Sequence, residues 1–186
     1  MELVFKKNKS MRLRNYDYSR DALYFITTCV KDRNCCFGTV LDGRMKLNGF
    51  GKIVGEQWLW LEKQFPFVRL HAYVTMPNHI HGIIEIGRDL VTPESKRRKP
   101  IEYSCGIPID YGKLEAERPV KIKSLSELIG AFKTTSSKRI HLAGLKDFTW
   151  QHSFHDSIIR DKNSFFRISK YIRNNPSKWK EDEWFI

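Results

Sequence analysis

The sequence has little cysteine, and its spacing does not suit a metal site or a disulfide framework. The four thiols are Cys29, Cys35, Cys36 and Cys105, with no Cys-x-x-Cys pair among them. Adjacent residues such as Cys35 and Cys36 are poorly placed to form disulfides or a zinc knuckle. We therefore expect reduced, structural cysteines, as in a cytosolic protein.

Long hydrophobic runs are also missing. The apolar stretches are too short, and too often interrupted by charge, to cross a bilayer. Residues 1–14 lack the apolar segment of a secretory signal. No internal repeat is visible. We expect a cytoplasmic protein with no membrane partner.

Acidic residues are scarce relative to basic ones. The chain has 21 Asp and Glu against 33 Lys and Arg, a net charge of +12 over 186 residues. Such an excess favours a polyanionic partner, with nucleic acid as the leading candidate. Because 41% of the residues are apolar and 13% aromatic, the chain is also expected to fold around a core of its own.

The pattern of apolar residues, caps and turn residues predicts alternating strands and helices. Predicted strands cover residues 23–30, 67–76, 79–87 and 151–160, a small hairpin covers 39–47, and predicted helices cover 49–64, 124–141 and 161–174. Without the hairpin, the order is strand, helix, strand, strand, helix, strand, helix. This order predicts an α+β protein: a ferredoxin-like βαββαβ sandwich with an antiparallel sheet and an added C-terminal helix.

We place a single domain at residues 21–186, with a basic arm before it and an insertion within it. Residues 1–20 form a basic arm, in which interleaved tyrosines could stack on unpaired bases while the cations follow a phosphate backbone. Residues from about 88 to 123 contain a basic run, several prolines and no sustained period, so we expect a surface insertion there.

A histidine pair at the start of the third core strand is the strongest clue to function. His79 and His81 follow a Pro-Asn turn. Because side chains alternate along a strand, the two imidazoles project to one side, while Ile80 and Gly82 project to the other. Both rings can therefore reach one ion. Glu85 lies on the same face and is one candidate for a third ligand.

The last predicted helix supplies a second set of candidate residues. Tyr171 and Asn175 are four apart, so they share a helix face, with Arg167 one turn earlier. The following Pro176 disfavours helical backbone at Asn175, which opposes this placement of its side chain over Tyr171. Arg167 and Lys170 are the positive charges expected to favour ionisation of the phenol. His152 and His155, three apart on a predicted strand, should lie on opposite faces.

Residues 70–82 and 171–176 closely resemble the HUH single-tyrosine transposases of insertion sequences, and more narrowly the REP-associated tyrosine transposases. Residues 14–18, 124–133 and 150–161 support this likeness, which covers nearly everything except the insertion and the final tail.

The resemblance implies a metal-dependent enzyme that cleaves and rejoins single-stranded or hairpin DNA. It implies that His79, His81 and Asn175 bind a divalent metal, Mg or Mn, and that Tyr171 is the catalytic nucleophile that forms a 5'-phosphotyrosine. It allows a monomer or a homodimer. The residues expected to contact DNA are Arg12, Arg14, Tyr16, Lys133, Lys138, Arg139, Arg167, Lys170 and Arg173.

Two other readings of the same residues stay open at this point. A noncatalytic nucleic-acid-binding module of ferredoxin-like fold would need neither Tyr171 nor a metal. A metal-binding protein unrelated to nucleic acid would take up metal without affinity for DNA. The segment 48–52 resembles part of an RNA-recognition motif, but it leads into a predicted helix, whereas that motif requires a central strand.

Overall fold

The computed structural model describes residues 17–91 and 120–185. The strands and helices, in chain order, are β1 Ala22–Cys29, β2 Gly38–Leu41, β3 Arg44–Leu47, α1 Gly49–Gln64, β4 Val68–Thr75, β5 His79–Ile86, α2 Leu125–Leu142, β6 His155–Ile159 and α3 Lys162–Asn174. Short 3-10 helices follow β1, at Lys31–Arg33, and α3, at Asn175–Glu181.

Four strands form one sheet in the order β4-β5-β1-β6, and every neighbouring pair is antiparallel. With α1 and α2 as the connections, this is the predicted ferredoxin-like arrangement, and the α+β prediction is confirmed. Strands β2 and β3 form a separate hairpin. The histidine-bearing strand β5 is central, with His81 opposite Thr27 of β1 on one side and Val74 of β4 on the other.

The predicted cap residues begin the two connecting helices. The Asn48 side chain accepts a hydrogen bond from the Gly51 amide at 3.0 Å at the start of α1. Ser124 and Glu127 form a reciprocal capping box at the start of α2. Both helices then pack on the same face of the sheet, where the rings of Trp58 and Phe132 meet edge to face.

Helix α3 covers the opposite face. Its buried Ile168 and Ile172 pack against Phe25 of β1 and Ile83 of β5. The protein therefore has three layers, with the sheet between α3 and the α1–α2 pair. The space between the sheet and α3 contains the functional side chains described below.

Strand β6 is shorter than predicted, at five residues. Before it, the Lys133 ammonium of α2 donates hydrogen bonds to the carbonyls of Gln151 at 2.7 Å and Ser153 at 2.8 Å. These carbonyls are satisfied by a side chain rather than by a neighbouring strand. His152 consequently lies in a loop, so the prediction that it shares a strand with His155 is wrong.

Some predictions fall outside the described residues. These include most of the basic arm with Arg12, Arg14 and Tyr16, residues 92–119 of the insertion, and Cys105. The other three cysteines are free thiols. Among the residues that the structure describes, no helix is long and apolar enough to span a membrane.

Candidate metal and tyrosine site

His79 and His81 lie side by side on the α3 face of strand β5, as the alternation of side chains requires. They are 0% and 1% exposed. Their Nε2 atoms are 3.0 Å apart. The two inner nitrogens therefore face the same small volume, which is the arrangement expected of two ligands to one ion.

The outer nitrogens of both rings have hydrogen-bond partners. His79 Nδ1 lies 2.8 Å from Asn78 Oδ1, and His81 Nδ1 lies 2.7 Å from the Thr27 hydroxyl on neighbouring strand β1. Such partners orient metal-binding imidazoles in general. The ring positions are thus set by strand pairing and by the Pro-Asn turn rather than by a ligand.

Burial keeps both imidazoles neutral. Desolvation lowers the pKa of His81 to about 3. Desolvation and the neighbouring His81 hold the pKa of His79 well below its ordinary value. Because a metal binds the neutral ring, neither histidine has to lose a proton at neutral pH before it becomes a ligand.

Helix α3 places Tyr171 directly over this pair. The phenol oxygen is 3.3 Å from Nε2 of His81, and the two rings are 5.3 Å apart. Burial, with the charges of Asp182 and Glu183, raises the pKa of Tyr171, and the Asn175 amide partly offsets this rise. The charges that act most strongly on the phenol are therefore acidic, rather than the basic ones that the sequence predicts.

Asn175 lies beside Tyr171 with helical backbone, at φ −55° and ψ −43°. Pro176 is tolerated because it enters the first turn of the following 3-10 helix, where its missing N–H costs nothing. The Asn175 side chain donates to the Asp182 carboxylate at 2.7 Å. Its Oδ1 is buried and has no hydrogen-bond partner in the described part of the chain. A cation would satisfy such an oxygen.

Asp182 is the residue that the sequence analysis missed. Ligand atoms of His79, His81 and Asp182 all lie within 4.8 Å of one another. Two imidazoles and a carboxylate are a donor set that divalent transition metals accept, so these residues fit a metal site. Asp182 lies in an acidic tail with no periodic pattern, so only the folding back of the chain reveals its position.

The alternative ligand Glu85 is occupied elsewhere. It lies four residues beyond His81 on β5, about 13 Å along the strand at the usual rise per residue. Its carboxylate pairs with His71 at 2.8 Å and lies 3.9 Å from Arg69. The structure thus brings Asp182, with Asn175 hydrogen-bonded to it, to the histidine pair, and Glu85 lies elsewhere.

The C-terminal segment also packs on the histidines. The rings of Trp179 and Trp184 lie 5.9 Å and 6.1 Å from the ring of His79. Arg33 places its guanidinium over Trp184, 5.1 Å from the ring centre. These contacts, with the hydrogen bond from the Trp184 amide to the Asp182 carboxylate at 2.8 Å, hold Asp182 close to the site.

Within the described part of the chain, the residues expected to contact DNA form two groups. Arg167, Lys170 and Arg173 are exposed on α3, on the same side of the sheet as the site. The predicted residues of α2 are on the other side. There Lys133 binds carbonyls of the loop before β6, Arg139 pairs with Glu56 of α1 at 2.8 Å, and Lys138 is exposed.

Comparison with known proteins identifies a relative. No family model matches the chain. An uncharacterized protein of Haemophilus influenzae is 30% identical over 178 residues, which cover 96% of this chain and 93% of the relative. The chain belongs to the family of this Haemophilus protein.

A solved structure shares the fold of this chain. A REP-associated tyrosine transposase bound to a REP hairpin superimposes with a TM-score of 0.55. The match covers 93% of this chain and 74% of the other, at 18% sequence identity. The chain therefore has the fold of that transposase.

Proposed function

We propose that the protein is a REP-associated tyrosine transposase, a cytoplasmic enzyme that cleaves and rejoins single-stranded or hairpin DNA. The observation that carries the proposal is the position of the Tyr171 hydroxyl, 3.3 Å from Nε2 of a buried and neutral histidine pair. The fold likeness to a transposase bound to a hairpin supports it.

The reaction assigned to Tyr171 is a phosphoryl transfer. Its phenol oxygen attacks a backbone phosphorus, and the bond from phosphorus to the 3'-oxygen breaks. The phenol proton is lost and the leaving 3'-oxygen gains one, so the products are a 5'-phosphotyrosine and a free 3'-hydroxyl. The reverse reaction, with a different 3'-hydroxyl, joins strands without ATP.

The other buried groups hold the metal and the nucleophile. His79 and His81 supply two nitrogens, with Asp182 and Asn175 as candidate oxygen ligands. When bound there, a divalent ion, Mg or Mn, would supply Lewis-acid polarisation of the scissile phosphate and positive charge near the leaving oxygen. Burial and the charges of Asp182 and Glu183 raise the pKa of Tyr171, so its phenol would need such positive charge to ionise.

The proposed DNA surface is the exposed side of α3. Arg167, Lys170 and Arg173 can each neutralise a phosphate. Replacing all three with Gln should weaken binding of single-stranded DNA and lower the slope of log affinity against log salt by about 2. Filter binding over a range of salt concentrations measures this slope. An unchanged slope would exclude this side of α3 as the phosphate contact.

Covalent capture of DNA tests the reaction. Hairpin oligonucleotides labelled at the 3' end are incubated with protein and Mn²⁺, because the fragment that keeps the 5'-phosphate stays on Tyr171. Wild type should give a labelled protein band in a denaturing gel. Tyr171→Phe and His79→Ala should give none, whereas Tyr73→Phe, a tyrosine on strand β4, should match wild type. An adduct that survives in Tyr171→Phe would exclude Tyr171 as the nucleophile.

A noncatalytic DNA-binding module of the same fold is the second candidate. The raised pKa of Tyr171 and the packing of the C-terminal segment on His79 favour it, since both oppose attack by the phenol. Retained hairpin binding without an adduct, across a broad panel of hairpins with Mn²⁺ present, would support the module and exclude the enzyme. Light scattering of the same samples distinguishes a monomer from a homodimer.

A further inference from the structure

Asn78, the residue before His79, is buried and uses its whole amide group. It is 1% exposed. Its Nδ2 donates to the backbone carbonyls of Arg33 and Trp184, each at 2.9 Å. Its Oδ1 lies 2.8 Å from His79 Nδ1. Three parts of the chain, distant in sequence, therefore meet at one side chain.

These contacts determine the direction of the bond to His79. Backbone carbonyls only accept hydrogen bonds, so the NH₂ group of Asn78 must face Arg33 and Trp184. Its oxygen then faces the imidazole and can only accept. The proton of the neutral His79 ring consequently resides on Nδ1, and the lone pair resides on Nε2.

That lone pair points into the candidate metal site, since Nε2 of His79 lies 3.0 Å from Nε2 of His81. We infer that Asn78 is a positioning residue that holds His79 in the Nδ1–H tautomer, with Nε2 presented to a divalent cation. The inference rests on the metal site of the proposed function and adds a residue that acts on a ligand rather than on the metal.

The same amide stabilises an unfavourable stretch of backbone. Asp32 and Arg33 have φ of 56° and 58°, in the left-handed region that non-glycine residues seldom adopt. The hydrogen bond from Asn78 to the Arg33 carbonyl helps to hold this turn, whose Arg33 side chain covers Trp184. Position 78 therefore requires two donors and one acceptor. Asp offers only acceptors, and the single hydroxyl of Ser cannot supply both donors.

The tautomer of His79 can be measured without DNA and without activity. Long-range ¹H–¹⁵N correlation spectra distinguish Nδ1–H from Nε2–H rings in metal-free protein. The chain has six histidines, and His79→Gln identifies the signals of His79 by their loss. Wild type should show His79 as Nδ1–H. Mn²⁺ affinity, measured by calorimetry, gives a second readout on the same samples.

Two substitutions at Asn78 separate its roles. Asn78→Ala removes the acceptor, so His79 should become a mixture of tautomers, and Mn²⁺ affinity should fall about 10- to 100-fold. Asn78→Asp keeps the acceptor but sets a carboxylate against the carbonyls of Arg33 and Trp184, so it should keep the Nδ1–H form of His79 while lowering the urea midpoint of unfolding. Thr27→Val, which removes the partner of the other histidine, should change the signals of His81 and leave His79 in the Nδ1–H form.

Two results would overturn the inference: an Nε2–H ring for His79 in wild type, or an Asn78→Ala protein with wild-type tautomer and affinity. If Asn78→Ala does not fold, the spectrum of wild type decides alone, because an Nε2–H ring for His79 overturns the inference without any variant. A protein that forms the DNA adduct but carries His79 as Nε2–H would refute only the role of Asn78. An Nδ1–H ring in a protein that forms no adduct would refute only the proposed enzyme.

Discussion

The eight residues of strand β5 alternate between two faces that have opposite chemistry. Toward α1 and α2 the strand presents only apolar groups, with Ile80, Ile84 and Ile86 all fully buried. Toward α3 it presents His79 and His81, which are equally buried. Burial alone therefore does not distinguish the structural face from the functional one. What distinguishes them is whether the buried atoms need partners.

The apolar face is stabilised by close packing against helices α1 and α2. Its closest approach is at Gly82, where an added Cβ would overlap the ring of Trp58. The polar face is satisfied by directed bonds to Asn78 and Thr27, and the two inner imidazole nitrogens face each other at 3.0 Å. The apolar face is packed so closely that it has no space for an added atom. On the polar face, the two inner imidazole nitrogens need a proton or a cation between them.

Gly82→Val should give the largest effect, because it inserts a branched side chain into the closely packed face. We expect a loss of about 3 kcal/mol in the free energy of unfolding, since the Trp58 ring has no space to move. Urea denaturation measures it. Gly130→Ala is the matched control, because no atom lies within 4 Å of the added Cβ on helix α2, and it should be neutral or slightly stabilising. Equal effects of the two substitutions would contradict the packing difference.

Acid should destabilise the polar face selectively. The pKa of His81 is about 3 when folded against an ordinary value of 6.5, so the unfolded chain binds the proton more tightly. The free energy of unfolding should therefore be highest above pH 6.5 and fall as the pH drops toward 4, by about 1 kcal/mol per pH unit for His81. Urea denaturation at a series of pH values measures this slope.

The control for the acid experiment is a histidine outside the site. His81→Gln should reduce the dependence of the free energy of unfolding on pH. His152→Gln, at an exposed loop position, should leave that dependence as in wild type. The same slope of unfolding free energy against pH in all three proteins would show that the buried histidine pair does not cause the loss of stability in acid.

Asp182→Asn removes the negative charge that lies beside the two histidines. We expect about tenfold weaker Mn²⁺ binding, because the carboxylate lies beside both inner nitrogens. Calorimetry on wild type, Asp182→Asn and Asn175→Ala compares the two candidate ligands. Glu181→Gln removes the same charge from an exposed neighbouring position and should leave the affinity unchanged. Normal binding by Asp182→Asn with weak binding by Asn175→Ala would assign the third ligand to Asn175.

Lys133→Met should give the smallest effect, on the α2 side of the molecule. Loss of the hydrogen bonds to the carbonyls of Gln151 and Ser153 should lower the free energy of unfolding by about 1 kcal/mol. DNA affinity should change little, because this ammonium is committed to the backbone. Lys138→Met, at an exposed position on the same helix, should leave stability unchanged. A large loss of DNA affinity in Lys133→Met alone would restore Lys133 as a DNA contact.

Local patterns predicted much of this molecule. The bounds of α1, the capping box at Ser124 and the order of the core strands follow from caps and periodicity, which act over a few residues. The separation of His79 and His81 from Ile80 and Gly82 follows from the two-residue period of a strand. The proximity of Tyr171 and Asn175 follows from helical spacing, and the backbone at Asn175 proved helical despite Pro176.

Contacts between segments that are distant in sequence were harder to predict. The carbonyls that bind Lys133 end β6 early, and no pattern within residues 151–160 signals this. Arg139 is as basic as Lys138 in the sequence, but only the packing of α2 on α1 pairs it with Glu56. Long-range pairing depends on how helices dock, which the local sequence does not encode in any readable pattern.

Local periodicity was enough to predict the sheet, the face that carries the two histidines, and the helix that carries the tyrosine. The approach of Asp182 to the histidines, the pairing of Glu85 with His71, and the link from Asn78 to the C-terminal segment emerge only in the folded chain. Periodicity orients side chains about their own element, but it does not specify which elements meet. Which charge is buried beside which ring is decided when separate elements pack and exclude water.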